Sequence, residues 1–306
     1  RGFHIVSIFD NNKEKIRKLR RSLHREPELS GQETLTAARI KDFILEHHPA
    51  EVRNHIGGNG LAAVFKYAEE GPVVMIRCEL DALPIEESNS FEHRSFNPGV
   101  SHKCGHDGHM AIVAGLIFWL REQSFHRGKV ILLFQPAEET GKGAYAVLAD
   151  EQFSGLQPDY IFALHNLPGE PLHSVILVRE RFSATVESIV VDLEGKQSHA
   201  SEPEKGINPA MAMSELINEL DALNVRHPGD KNFTLLTPVH LTMGSKAYGV
   251  SAGSAEVHYT LRTWSEEVMD QLKTKLAVIL EKTAQRHSLL CKTEWFDYFP
   301  SAVNHE

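Results

Sequence analysis

Four short apolar runs constrain this chain more than any other feature. LAAVFK (61–66), VVMIRCEL (73–80), KVILLFQ (129–135) and YIFALH (160–165) are nearly continuous in hydrophobic residues. Strands covered on both faces read this way, whereas half-solvated strands alternate apolar and polar positions. Apolar spacing over 107–123 and 140–150 predicts helices between the runs, and two further helices are expected over 13–24 and 33–47, parted by Pro27. The first part of the chain therefore reads as an α/β layer structure.

From Glu187 the pattern changes. A strand (ESIVVDLEG) is followed by a helix over about 207–223, two strands (NFTLLTPVHLTM and SAEVHYTLRTW), a helix over 265–285 and a strand (SLLCKTEW). This β-α-β-β-α-β order is the ferredoxin-like split βαβ arrangement, which closes on itself. FDYFPSAVNHE (296–306) is expected to leave that unit. Two domains suit 306 residues, which is long for one core.

Charge and hydropathy remove several partner classes. With 41 acidic against 32 basic side chains and no dense basic cluster, the chain is not expected to bind nucleic acid. No apolar stretch approaches the roughly 20 residues of a membrane span, so no membrane partner is expected. Cys78, Cys104 and Cys291 are too few and too scattered for a disulfide framework, which favours a reducing compartment and a cytoplasmic location. The chain opens on Arg1 rather than Met, which leaves export open.

Ligands in open α/β sheets bind beyond the carboxyl ends of strands. Three such ends carry chemistry here: VVMIRCEL runs into Asp81, KVILLFQ into Glu138 and Glu139, and YIFALH ends on His165. Cys104 and His106, in SHKCGHDGHM, precede a helix whose N-terminal dipole favours a thiolate. Transition-metal coordination is the chemistry that uses a thiolate, imidazoles and carboxylates together. Of the paired Glu138 and Glu139, one can bind metal while its neighbour serves as general base on a metal-activated water. Alternatives stay open: Asp107 as a helix cap, the two glutamates as a solvated acidic pair, and Cys104 as a nucleophile with His106 or His165 as base.

The motifs SLHREPELSGQE (22–33), IRCELDALPIEE (76–87), GVSHKCGHDGHM (99–110), LLFQPAEETGKGA (132–144), ALHNLPGEP (163–171), GKQSHASEPEKGINPA (195–210) and YTLRTW (259–264) run through nearly the whole chain. Together they resemble the amidohydrolase branch of the dinuclear metallopeptidases related to aminoacylase and carboxypeptidase G, which contains hippurate hydrolases, auxin-conjugate hydrolases and N-acyl-amino-acid deacetylases. The resemblance implies a catalytic α/β/α domain with a mixed sheet over 1–181. An inserted ferredoxin-like lid and dimerisation domain would cover 182–295, and 296–306 would begin the return to the catalytic domain.

It further implies that Cys104, His106, Glu139 and His165 bind metal, that Asp81 orients a ligand, and that Glu138 is general base and proton shuttle. His199 would stabilise the oxyanion, and Asn208 and Arg262 match lid positions that meet a substrate carboxylate. The complete site would hold two divalent ions, zinc, manganese, nickel or cobalt, and the reaction would be hydrolysis of the amide of an N-acyl amino acid or similar peptide-like conjugate. A homodimer through the lid is expected.

Two departures stand out. Glu79 occupies a position where the family commonly has Asp, and no residue matches the family's last His ligand near its C-terminus. The second is expected to mean either a piece of a longer protein, which is the favoured reading, or a degenerate, non-catalytic family member with at most one metal.

Overall fold

The apolar runs of the first unit, which ends at Leu172, become strands of one mixed sheet in the computed structural model, which describes residues 2–47 and 51–305. The strands are β1 (Glu51–Ile56), β2 (Gly60–Lys66), β3 (Glu69–Glu79), β4 (Arg127–Gln135) and β5 (Tyr160–Ala163), in the order β1-β2-β4-β3-β5. β2 is antiparallel to both β1 and β4, while β3 runs parallel to β4 and β5.

Continuous hydrophobicity in the central strands follows from helices on both faces. Leu61, Ala63 and Phe65 of β2, with Leu132 and Phe134 of β4, face α1 (Gly2–Arg25), α2 (Thr34–His47) and α3 (His106–Leu120). Ala62, Val64, Ile131 and Leu133 point the other way, against Val147 of α4 (Gly143–Ala149), Phe153 and Leu156. α1 stops at Arg25, two residues before Pro27, whose ring and missing N–H block a further turn. α2 buries Thr36, Ile40, Ile44 and His47 at helical spacing. α3 is apolar nearly all round because it is enclosed, and Gly115 lets α1 approach: a Cβ there would lie 3.0 Å from Ile16 Cδ1. Each fully buried Leu or Ile of this core contributes roughly 1.5–3 kcal/mol.

Four sequence expectations change. α1 begins at Gly2 rather than near residue 13, because Ile8 extends the apolar face of Leu19 and Leu23 by further turns. β1 was not expected: EVRNHI is mostly polar, and it pairs only along the sheet edge. β5 is not covered on both faces, since Tyr160, Ile161 and Phe162 are 58–59% exposed at the opposite edge. Asp107 is not a helix cap; Gly105 occupies the N-cap position of α3, and the Asp107 carboxylate instead ties α3 to α1 through His24 Nδ1 at 2.9 Å and Arg20 Nε at 3.1 Å.

In the second unit, from His173 onward, β6 (Thr185–Glu194), α5 (Ala210–Asp221), β8 (Thr234–Met243), β10 (Ser254–Thr263), α6 (Glu266–Arg286) and β11 (Leu290–Phe299) take the expected order. The sheet order β11-β6-β10-β8 is antiparallel throughout and is that of a ferredoxin-like unit. Ile189, Val191, Tyr259 and Leu261 pack against Leu216 of α5 and Leu276 of α6. A small ribbon, β7 (Ser198–His199) with β9 (Val250–Ser251), is added. Phe296 and Phe299 continue β11 beside Ser188 and Val186, and the following residues run alongside 180–183, with Asn304 N–H donating to Glu180 O at 2.8 Å and Phe182 N–H to Ala302 O at 2.8 Å.

Between β3 and α3 the chain has no regular helix or strand, and Glu87 organises it. Its side chain, 2% exposed, accepts from Ser95 N–H at 2.6 Å, Asn89 Nδ2 at 2.8 Å and Lys103 Nζ at 3.1 Å, and meets His24 Nε2 at 3.2 Å. Burial opposes the charge, but these donors prevail and lower the carboxyl pKa to about 2. A pKa depressed on folding gives stability that is present above the unfolded value near 4.5 and is lost as pH falls toward 2. Glu87→Gln should therefore cost on the order of 2–3 kcal/mol at pH 7 and flatten the decline in stability below pH 5. Urea midpoints recorded from pH 7 to pH 3 check this; an acid limb identical to that of the parent would reject it.

Candidate metal centre

Three chain segments are fastened together at the carboxyl end of β3. Asp81 is fully buried; its Oδ2 accepts from Ser30 Oγ at 2.7 Å and from Glu139 N–H at 2.9 Å. The Asp81 backbone carbonyl lies 2.8 Å from His106 Nδ1. A carbonyl can only accept, so Nδ1 carries the hydrogen and Nε2 faces away from Asp81.

His106 begins α3 with its ring buried. Its Nε2 lies 3.7 Å from Glu138 Oε2 and 3.7 Å from Glu139 Oε1, too far for hydrogen bonds. His106 Nε2 and Glu139 Oε1 are both buried without a hydrogen-bond partner among the described residues. Buried polar atoms left unpaired are costly, and two that converge mark a place for a further group. Cys104 Sγ lies 3.3 Å from His165 Nε2. Ligand atoms of Cys104, His106 and His165 fall within 4.8 Å of one another, as do those of His106, Glu138 and Glu139 and those of Glu79, His106 and His109. His106 belongs to all three groups. This mixed S, N and O donor set fits a divalent transition-metal ion.

Local backbone geometry places these groups. After β4, Ala137 adopts a positive φ of 48°, a conformation that costs about 1–3 kcal/mol for a residue with a side chain. Its N–H donates to Glu33 Oε1 at 2.7 Å, and its carbonyl accepts from Gly143 N–H at 3.0 Å. This bend delivers Glu138 and Glu139 to the end of the strand. Gly105, at φ 97°, turns the chain between Cys104 and His106.

Electrostatics follow burial and neighbours. Desolvation raises the pKa of both Glu138 and Glu139. His106 is desolvated, yet Asp81, Cys104 and Glu79 outweigh this and push its pKa up to about 11; contact with Cys104 pushes His165 up to about 9. The Cys104 thiol is lowered, first by His106 and then by His165. An ion entering here must displace protons.

Of the sequence candidates, Asp81, Cys104, His106, Glu138, Glu139 and His165 come together. His199, Asn208 and Arg262 belong to the second unit. His199 is exposed on β7 with Nδ1 2.7 Å from Ser201 Oγ. Asn208 Nδ2 donates to Ser251 Oγ at 3.0 Å, and Arg262 is exposed on β10 opposite Val186 and Leu235. Sequence reasoning missed Ser30, Glu33 and the part played by Glu79, which is 3% exposed and lies 2.8 Å from His109 Nδ1. Two signals were present: charges at 77 and 79 inside an apolar strand demand buried partners, and His109 sits three residues after His106 on one helix face.

Comparison with known proteins bears on this geometry. The description Peptidase family M20/M25/M40 matches residues 75–297. An N-acetyl-L-cysteine deacetylase of Bacillus subtilis is 35% identical over 289 residues, which is 94% of this chain and 68% of the relative. A hippurate hydrolase of Campylobacter jejuni is 29% identical over 94% of this chain and 75% of its own length. The crystal structure of the Bacillus subtilis YXEP protein, described as a dinuclear metal binding peptidase, superimposes with a TM-score of 0.78 at 28% identity, over 95% of this chain and 76% of that one.

If the cluster holds an ion, zinc or manganese at a hundredfold excess over its dissociation constant should stabilise the protein by about 2.7 kcal/mol. His106→Ala should remove most of that gain. Melting curves with and without each ion decide the matter, and a melting temperature indifferent to both ions in the parent protein would count against the centre.

Proposed function

The chain belongs to Peptidase family M20/M25/M40 and is an amidohydrolase, and on that premise we propose that it cleaves the amide bond of N-acyl amino acids or similar small conjugates at the cluster around His106. The observation that carries the reading is the convergence of Cys104, His106, His165, Glu138 and Glu139, with His106 Nε2 and Glu139 Oε1 buried and unbonded.

In this reading Cys104, His106, Glu139 and His165 hold the metal, two ions in the complete site, and Asp81 fixes the His106 ring through its carbonyl. A divalent ion bound there supplies Lewis acidity toward the acyl carbonyl and makes water a stronger acid. Glu138 then takes a proton from the attacking water and returns it to the leaving amine. Its pKa, raised by burial, moves toward the neutral range where one carboxyl can do both. His199 would donate to the developing oxyanion, and Asn208 with Arg262 would meet the substrate carboxylate.

Within the second unit, residues 182–295 we take as a lid domain that also forms a homodimer. β8 is an edge strand of its sheet, and Val239, Leu241 and Met243 on it are 43–59% exposed. No described helix is long and apolar enough to cross a membrane. Free thiols at Cys78, Cys104 and Cys291 suit a reducing cytoplasm. The donor set admits zinc, manganese, nickel or cobalt.

Glu138→Gln should keep the metal but lower turnover by about 10²–10⁴-fold, the usual worth of a general base. Cys104→Ala should lose metal and activity together. Metal content and amine release from N-acetyl-cysteine and hippurate provide the measurement. Turnover that survives both substitutions would place the chemistry elsewhere, and metal without turnover in the parent protein would favour a non-catalytic family member.

A further inference from the structure

We propose that Asn166 is a positioning residue that locks the Cys104–His106 turn to His165, so that two separate chain segments present their metal-binding atoms as one unit. The proposal rests on the metal-centre reading above and adds a residue to it that contacts no reacting group.

The need for such a lock is visible at His165. It follows the exposed edge strand β5 and is itself exposed, and the chain beyond it packs poorly, with Leu167 56% and Leu172 86% exposed. Its ring is oriented by Nδ1, 2.8 Å from Asn166 O, which alone does not connect it to the turn. The Asn166 side chain makes that connection. A Cβ on Gly105, between Cys104 and His106, would lie 2.5 Å from Asn166 Oδ1 and 3.0 Å from its Cγ. The amide therefore fills the space that the missing side chain leaves open.

A second contact fixes the amide from below. His109, one helical turn after His106 and 1% exposed, lies with Nε2 2.6 Å from Asn166 Oδ1 and 3.1 Å from the Asn166 backbone nitrogen. Because a ring nitrogen either donates or accepts, His109 Nε2 hydrogen-bonds to one of the two at a time. Its Nδ1 lies 2.8 Å from Glu79 Oε2. Glu79 in turn pairs with Arg77, whose Nε donates to Gln135 Oε1 at 3.0 Å, so the chain of contacts ends on β3 and β4. Asn166 is thus braced from the sheet through a buried imidazole, and it holds two candidate ligand segments at once. Partners of this kind, when removed, typically weaken metal affinity about 10–100-fold without contacting the ion.

The test compares zinc affinity, by competition with a chromophoric chelator, in the full chain and in Asn166→Ala, Asn166→Asp and Gly105→Ala, alongside metal-free melting temperatures. Asn166→Ala should weaken zinc binding about 10–100-fold while the metal-free melting temperature stays within about 2 °C of the parent. The isosteric Asn166→Asp should recover most of the affinity. Gly105→Ala should reproduce the loss, and combining it with Asn166→Ala should cost less than the two losses multiplied, because both break one contact. Undiminished zinc affinity in Asn166→Ala overturns the proposal. So does a loss matched by an equal fall in metal-free stability, or a failure of Asn166→Asp to recover. A parent protein that binds no zinc, manganese, nickel or cobalt overturns the metal-centre reading itself, and this inference with it.

Discussion

The buried carboxylate of Asp81 accepts from the Ser30 hydroxyl and the Glu139 N–H, while its backbone carbonyl takes the Nδ1 hydrogen of His106. One residue at the end of β3 thereby joins the segment after α1, the first turn of α3 and the bend after β4. Each of these bonds involves a group removed from water, so none can be broken without leaving an unpaired polar atom inside the protein. The tautomer of His106 follows from the same contact. Its Nε2 is turned toward Glu138 and Glu139, and the rest of the cluster is arranged around that nitrogen.

Rigidity behind the cluster comes from packing rather than polar contacts. α3 is buried on nearly every side, from Met110 to Leu120, and sits against α1 closely enough that a Cβ on Gly115 would lie 3.0 Å from Ile16 Cδ1. A helix held so firmly projects its first residue, His106, with little freedom. Glu138 and Glu139 gain a comparable fixity differently, from the strained turn at Ala137 anchored by Glu33. His165 has neither device. It follows an edge strand whose apolar side chains are more than half exposed, which is why its placement falls to contacts made by its neighbour.

Much of this arrangement was legible in the sequence, and the reasons differ by element. The central strands β2, β3 and β4 announced themselves because burial on both faces removes the need for polar residues, and the β-α-β-β-α-β order of the second unit followed from well-spaced periodicities. β1 escaped because EVRNHI carries the polarity of an edge, and β5 misled because its hydrophobicity matched a buried strand while its position is at an edge. The clustering of Asp81, Cys104, His106, Glu138, Glu139 and His165 was readable from strand ends. The Glu79–His109–Asn166 contacts were not, since hydrogen bonds between residues 30 and 57 positions apart leave no periodic trace. Asp107 shows the same blindness: its position at a helix start suggested a cap, but a buried His24 outcompeted the local backbone for it.

Charge explains why these contacts hold together and what they are arranged to receive. Glu79, Asp81, Glu138 and Glu139 crowd one end of the sheet, with the Cys104 thiol beside them, and Arg77 is the fixed cation paired to Glu79. Burial opposes ionisation of Asp81 and Glu79, yet His106 beside Asp81, with the Ser30 and Glu139 donors, and His109 with Arg77 beside Glu79 hold both below the ordinary carboxylate range. Glu138 is pushed the other way by burial and by Glu139, and Glu139 by burial and by Asp81. Carboxylates that share a desolvated site repel, and repulsion of this kind is relieved by protons or by a cation. The histidines supply the protons: His106 and His165 are driven toward their charged forms by the same surplus of negative charge. In the reading proposed above, a divalent ion held by Cys104, His106, Glu139 and His165 would supply the same neutralisation, and Glu138 would be the carboxyl left to exchange a proton with substrate.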